Sequence, residues 1–263
     1  GQWMRRHGIE DFVTGLNGPA WDNSYPAQLR AAGFRTGFIG KWGVGSPKET
    51  AAKAAAFDYW KGLPGQAGEF IEKNDPTRTH KTARFGNEAL EFLAGCTKEK
   101  PFCLSLSFNA VHARDGKPRE FEPDPRDEQL YADVTIPVPK LALDEAAFLR
   151  LPESVQKSEG RTRWKWRFDT PEKYQEYMKN YYRLCSEADA ASGRLARLTQ
   201  PTRSARMDWP NPPARTVVVA HSIGKRAPTR LYWQRIHTGA LLMSLSIRAL
   251  TASGFAGEVS GID

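Results

Sequence analysis

A lysine and a histidine, each placed directly after an apolar run, are the residues of this sequence best suited to chemistry. Lys41 follows residues 34–39 and Gly40, and His112 follows residues 101–108. Both runs have the composition of buried strands, and open α/β sheets place their ligands at the carboxyl ends of strands. Lys41 is therefore predicted as a fixed cation for a tetrahedral oxyanion such as sulfate or phosphate, and the alternative is a solvated lysine.

The surrounding elements have the order expected of an α/β fold. A helix at residues 24–32 and Gly33 precede the first strand, and a helix at 82–93 precedes the second. A long helix opens at Thr170-Pro171 and carries an apolar stripe at helical spacing. Residues 46–80 and 115–139 are rich in proline, glycine and charge, so we expect them to be irregular segments that carry substrate contacts.

The charge of the chain is concentrated at one end. The net charge is +8, and the segment from residue 195 to the end contributes +6 of it, with nine Lys or Arg against three Asp or Glu. No nucleic-acid motif accompanies this basic tail, so we expect no specific nucleic-acid partner.

No apolar run is long enough to span a bilayer, so we expect no membrane partner. The cysteines, Cys96, Cys103 and Cys185, have neither metal nor redox spacing.

Four segments carry a family resemblance. Residues 1–9, 25–42, 57–66 and 101–112 read GQWMRRHGI, YPAQLRAAGFRTGFIGKW, FDYWKGLPGQ and PFCLSLSFNAVH. In this order they resemble the sulfatases of the alkaline-phosphatase-like superfamily, which typically show TGxxPxxHG, LxxxGYxTxxxGKWHLG and FFLxxxxxxPHxP. The third segment is similar to a loop of arylsulfatase-like and iduronate-2-sulfatase-like enzymes.

The resemblance implies an architecture that this chain contains only in part. It implies an α/β fold with an alkaline-phosphatase-like mixed sheet flanked by helices, here incomplete at both ends. Residues 1–198 are predicted as a partial catalytic domain, and residues 199–263 as an atypical basic tail, either disordered or out of the native reading frame. Within the tail only residues 216–219 look like a family strand, and the Asp-Asn pair that usually follows is missing. The start at Gly1 without an apolar leader is read as a truncation.

The resemblance also implies roles for the two candidate residues. Lys41 matches the lysine of GKWHLG, which contacts the sulfate oxygens in the family. His112 matches the histidine of PHxP, beside the leaving-group oxygen, and is therefore predicted to be both catalytic and substrate-binding. The match is imperfect, since Val111 and Arg114 occupy the usual proline positions and Gly43 replaces the histidine of GKWHLG.

The nucleophile and the metal of such an enzyme are not visible in this sequence. In the family the nucleophile is a formylglycine made from a C/S-x-P-x-R motif, and none of the three cysteines lies in one. Calcium is the cofactor that the resemblance implies for the intact family member, and we predict that its carboxylate ligands are absent from this chain. The chain as given is therefore expected to be inactive.

The leading functional interpretation is a fragment of a sulfuric ester hydrolase whose parent acts on sulfated carbohydrates or aryl sulfates. The partner is then a sulfated small molecule or glycan. One alternative is a non-catalytic, sulfatase-like remnant or binding protein. A weaker one is a phosphoesterase of the same superfamily, which would need additional metal-ligating residues. The resemblance is compatible with an exported or periplasmic protein, although the localisation stays unassigned.

Overall fold

The computed structural model describes residues 3–65, 67–97, 99–117 and 119–199, and the backbone of two strands at 215–221 and 240–242. The helices are α1 (Met4–His7), α2 (Gly18–Asp22), α3 (Tyr25–Ala31), α4 (Pro47–Ala52), α5 (Lys81–Ala94), α6 (Glu145–Leu149), α7 (Glu153–Gln156), α8 (Glu159–Arg167) and α9 (Pro171–Thr199). The strands are β1 (Arg35–Lys41), β2 (Tyr59–Leu63), β3 (Phe102–Phe108), β4 (Arg215–His221) and β5 (Ala240–Leu242), and short 3₁₀ turns span Lys53–Ala56 and Pro125–Asp127.

The described strands form one sheet in the order β2-β1-β3-β4-β5. Every pairing in it is parallel. The α/β class with helices flanking the sheet is confirmed. In the register of β1 with β3, Gly40 lies opposite Ser107. The two strands therefore end at the same edge, one of them with Lys41 and the other a few residues before His112.

One face of the sheet is covered by α5 and α9. Residues of β1 and β3 and the apolar stripes of both helices form the main core, with the fully buried members Ile39, Phe85, Phe92, Leu104, Leu106, Phe108 and Leu184. A side chain at Gly37 would overlap the ring of Phe92, so this glycine permits the close approach of α5 to β1. Burial of large apolar side chains here contributes about 1.5–3 kcal/mol each.

The opposite face of β1 carries an aromatic cluster, defined by Trp21, Phe38, Trp42, Phe57 and Trp60. The Phe38 and Trp42 rings lie 4.9 Å apart in an edge-to-face contact, and Trp42 lies 5.3 Å from Trp60. The backbone N–H of Trp42 also donates to the carbonyl oxygen of Leu63, 2.9 Å away. These contacts fix the chain immediately after Lys41.

The predicted elements around the two strands are confirmed, and one prediction is wrong. The helices expected at 24–32, at 82–93 and from Thr170 are α3, α5 and α9. Residues 46–80, expected to be irregular, contain α4 and the strand β2. Because β2 is short, contains Lys61 and Gly62 and lies at an edge of the described sheet, it shows neither a continuous apolar run nor a clear alternation.

The sheet continues beyond residue 198. β4 pairs with β3 along its whole length, and includes the strand expected at residues 216–219. The remaining features predicted for residues 199–263 lie outside the described residues. Within the part of the chain that is described, no helix is both long and apolar enough to cross a bilayer.

A buried histidine and a buried glutamate link α5 to α9. His80 Nε2 lies 3.0 Å from the carbonyl oxygen of Glu122, and its Nδ1 lies 3.2 Å from Glu187 Oε2. Burial lowers the pKa of His80 and raises the pKa of Glu187 to about 8. Neutral His80 therefore donates from Nε2 to the carbonyl, while its Nδ1 accepts the backbone N–H of Thr82 at 3.2 Å, at the start of α5.

Replacing Glu187 with glutamine should stabilise the fold above neutral pH. The pKa of folded Glu187, about 8, lies above its ordinary value of 4.5, so folding takes up a proton between these values and stability falls as the pH rises. The amide has no charge to desolvate, and its oxygen can still accept the backbone N–H of Asp124. Urea unfolding should show Glu187→Gln more stable by about 1–3 kcal/mol at pH 7 and indistinguishable from the wild type near pH 4.5. A variant that is destabilised at both pH values would contradict the raised pKa of Glu187.

Gly40 should be the glycine of β1 that tolerates substitution least. Its φ is +97°, and a Cβ there would overlap the carbonyl oxygen of Ser107 on the paired strand. Gly33 is the matched control, because its φ is +89° and no described atom lies within 4 Å of its Cβ position. Urea unfolding should show a loss of about 1–2 kcal/mol for Gly33→Ala and of at least about 3 kcal/mol for Gly40→Ala. Equal losses would mean that the close approach of Gly40 to Ser107 adds nothing to the cost of the Gly40→Ala substitution.

Candidate active site

Lys41 lies at the last position of β1, at the edge where the sheet presents its carboxyl ends. It is half-buried, and burial lowers the pKa of its ammonium group. A cation that has lost part of its hydration gains more from a bound anion than a fully solvated one does. The space beside it is open at Gly43, where a Cβ added to the glycine would have Lys41 Cε as its nearest described neighbour, at 4.0 Å.

His112 lies in a turn that directly follows β3. Its backbone N–H donates to the carbonyl oxygen of Asn109 at 2.9 Å, and its ring Nδ1 lies 2.6 Å from the carbonyl oxygen of Ala113. A carbonyl can only accept, so Nδ1 carries a proton and donates it. The other ring nitrogen, Nε2, is thereby the one available to a ligand, as an acceptor when the ring is neutral and as a donor when it is protonated.

The charge of Lys41 is one of the influences on the pKa of His112. Burial is the largest influence and lowers the pKa of His112, while the carbonyl of Ala113 raises it. The Lys41 ammonium lowers the pKa of the imidazole further, Asp115 raises it, and Arg167 lowers it. The positive charge of Lys41 therefore acts on the imidazole through space.

An ionic network fixes the segment that follows His112. Arg167 of α8 forms ion pairs with Asp115 and Glu120, and Arg163 lies 2.8 Å from Asp115. Glu120 is almost fully buried, and its Oε1 also accepts the backbone N–H of Gly116 at 2.8 Å. Breaking such a buried pair costs several kcal/mol because it leaves a charge without compensation. The segment is thus held to α8 at the position that sets the charge around His112.

Arg114 adds a second tether to the same segment. Its guanidinium group pairs with Glu69 and, at 2.7 Å, with Glu122. Arg114 occupies one of the two positions where prolines are usual in the motif. In this chain an ionic tether restrains the backbone where a proline ring would otherwise do so.

The other residues weighed for chemistry lie outside this arrangement. Burial raises the pKa of the Cys103 thiol to about 12 and that of Cys185 to about 11, and Cys96 donates from Sγ to the carbonyl oxygen of Phe92. Neither Cys103 nor Cys185 has the low pKa of a thiolate nucleophile. Among the described residues no group of three or more His, Cys, Asp or Glu side chains is arranged to hold a metal ion. The described residues do not fit a calcium site, which needs several oxygen ligands.

Sequence analysis placed Lys41 and His112 but missed the network around them. The missed residues are Arg167, Asp115, Glu120 and Arg114. A basic residue in a charged helix such as α8 gives no local pattern that identifies its distant partner. The replacement of a motif proline by Arg114 was the one available signal.

Two comparisons relate this chain to known proteins. A sequence profile described as "Sulfatase" matches residues 8–200, a range that includes both Lys41 and His112. Over 154 residues the chain is 27% identical to the N-acetylglucosamine-6-O-sulfatase of Bacteroides thetaiotaomicron strain VPI-5482. The alignment covers 55% of this chain and 25% of that relative, so the chain spans about a quarter of the length of the curated relative it matches.

Opposite shifts in the His112 pKa should follow from two substitutions in the network. Asp115→Asn removes a negative charge that raises the pKa of His112, and should lower it. Arg167→Gln removes a positive charge that lowers this pKa, and should raise it. An NMR titration of the imidazole resonances measures both. Arg150→Gln, at an exposed arginine outside the network, is the control and should leave the His112 titration unchanged. Shifts of the same sign in both variants would contradict the charge arrangement.

Proposed function

The chain belongs to the sulfatase family, and on that premise we propose that the protein to which it contributes hydrolyses a sulfate ester carried on a sugar. In this proposal Lys41 holds the sulfate group and His112 acts at the leaving-group oxygen. The observation that carries the proposal is the electrostatic coupling of these two groups at adjacent, parallel strand ends. The name of the matched relative, N-acetylglucosamine-6-O-sulfatase, supports a sulfated glycan as the substrate class.

The proposed role of Lys41 is to neutralise charge on the nonbridging sulfate oxygens. A partly desolvated ammonium group at a strand end offers a strong and localised positive charge there. Since negative charge shifts toward the bridging oxygen as the S–O bond breaks, a single fixed cation orients the ester more than it drives the reaction.

The proposed role of His112 is to donate a proton to the leaving group. As the S–O bond breaks, the bridging oxygen takes both bonding electrons and receives the proton of Nε2, and a neutral imidazole with its proton on Nδ1 remains. The Ala113 carbonyl, which accepts from Nδ1, holds the ring in the orientation that this transfer needs. Because burial lowers the pKa of His112, the protonated form dominates only on the acidic side of its ordinary pKa of 6.5.

The described residues supply neither the nucleophile nor the metal ligands of this reaction. In the intact family member calcium would supply further positive charge at the sulfate group. No step is assigned to it, since the described residues do not gather ligands for it. Phosphoester hydrolysis would need a second metal, and no described cluster favours it.

A second candidate function is binding of a sulfated sugar without turnover. Gly43 favours it, because it leaves open space beside Lys41 where the family motif has a histidine. Sulfate binding that depends on Lys41, in a longer protein without detectable hydrolysis, would favour this candidate over the enzyme.

Loss of either residue should impair hydrolysis by the longer protein that contains this chain. With 4-nitrophenyl sulfate, Lys41→Met should lower kcat/KM about 100-fold or more. Lys48→Met, at an exposed lysine of α4, is the matched control and should keep wild-type activity. An active wild type together with an undiminished Lys41→Met variant would refute the role of Lys41.

The leaving group should reveal whether His112 acts as an acid. A sugar alcohol needs a proton to depart, whereas 4-nitrophenolate departs readily without one. His112→Gln should therefore lower kcat about 100-fold or more with a sulfated sugar and by a much smaller factor with 4-nitrophenyl sulfate. Equal losses with the two substrates would assign His112 to binding instead of proton transfer.

A further inference from the structure

A cavity of about 800 Å³ lies between the N-terminal half of α5, the segment around Pro125–Asp127, and α9. Neither Lys41 nor His112 lines it. Its volume exceeds what a bare inorganic ion fills and is within the range of about 300–1,000 Å³ that holds organic ligands. The cavity is therefore of a size for an organic molecule, and it is separate from the site described above.

Guanidinium groups supply the positive charge of this cavity. It is lined by Arg78, Arg126 and Arg194. Arg126 is engaged by Asp124 through two contacts of 2.9 and 2.6 Å. Arg194 donates to the amide oxygen of Asn87 at 3.1 Å, and within the described residues neither Arg78 nor Arg194 forms an ion pair with a carboxylate. Arg78 and Arg194 are thus available to bind an exogenous anion.

The carboxylates of the lining do not cancel this charge. Asp124 is paired with Arg126, and its backbone N–H donates to Glu187 Oε1 at 2.8 Å. Burial raises the pKa of Glu187 to about 8, so it carries less than a full negative charge at neutral pH. Asp127 remains as one further carboxylate, so the three arginines outnumber the ionised acids.

A buried hydroxyl group provides an independent indication of a ligand. Thr82 lines the cavity and is 2% exposed, and its Oγ1 has no hydrogen-bond partner among the described residues. A buried hydroxyl without a partner is costly, and native proteins rarely keep one without a reason. Thr82 and Ala83 also lie in the first turn of the 14-residue helix α5, where the helix dipole favours negative charge.

From these observations we infer that the cavity is a second binding site for an organic oxyanion, a sulfate or a carboxylate. That this group is carried on a sugar rests on the substrate class proposed above. Arg78 and Arg194 bind the anionic group, and Thr82 Oγ1 completes the site as a hydrogen-bonding group at the start of α5. The shared chemistry is an oxyanion on a saccharide. A longer glycan chain could in this way be held at a position distinct from Lys41.

The experiment is calorimetric titration of the full chain in the Lys41→Met background, so that binding at the first site does not contribute. The probes are N-acetylglucosamine 6-sulfate, glucuronate, N-acetylglucosamine and inorganic sulfate. We expect at least one of the two anionic sugars to bind, and to bind more tightly than inorganic sulfate, whereas N-acetylglucosamine should not bind. The two anionic sugars separate recognition of a sulfate from recognition of a carboxylate.

Variants then locate the binding site. Arg78→Gln should weaken binding about tenfold or more, as expected for loss of a hydrogen bond to a charged group. Thr82→Val removes only the hydroxyl, so it should weaken binding severalfold while the melting temperature stays equal or rises. Arg150→Gln removes the same charge as Arg78→Gln from an exposed position outside the cavity and should leave binding unchanged.

Two results would overturn the inference. The first is that neither anionic sugar binds, or that inorganic sulfate binds as tightly as both. The second is that binding survives undiminished in the Arg78→Gln and Thr82→Val variants. Since all titrations lack Lys41, either failure would leave the proposed hydrolysis untouched, and a failure of the hydrolysis assays would leave this site untouched.

Discussion

The close parallel pairing of β1 with β3 is the constraint on which the rest of this structure depends. Gly40 lies opposite Ser107 with a positive φ and no room for a side chain, so the two strands end together. Lys41 and the turn that carries His112 follow directly from these strand ends. The charge arrangement at the site is thus a consequence of backbone geometry in the sheet, and α5 and α9 hold that geometry by packing on one face.

Ion pairs hold the segment after His112 in place. Arginines restrain the segment after His112 through Asp115, Glu120, Glu69 and Glu122. These pairs fix the backbone, and the charges of Asp115 and Arg167 also act on the His112 imidazole. Burial lowers the pKa of both Lys41 and His112, so each group gains from a nearby anion. The proposed oxyanion site depends on this charge arrangement.

How much could be predicted from sequence depended on whether the signal was local. The strands that precede Lys41 and His112 were predictable because each is an apolar run, and α9 because Thr170-Pro171 and an apolar stripe mark it. Strand β2 was not predicted, because an edge strand with Lys61 and Gly62 lacks the apolar pattern of a buried strand. The pairing of Arg167 with Asp115 joins residues 52 positions apart, and no local periodicity reports such a contact. The close approach of His80 to Glu187 likewise joins residues that are distant in sequence and depends on packing alone.

The central claim is that the Lys41 ammonium and the His112 imidazole border one hollow. The most direct measurement is an NMR titration of His112 in the wild type, in Lys41→Met and in the control Lys48→Met. Since the charge of Lys41 lowers the pKa of His112, its removal should raise that pKa, and loss of the exposed charge at Lys48 should not. Identical His112 titrations in all three proteins would place the two groups too far apart to share one ester.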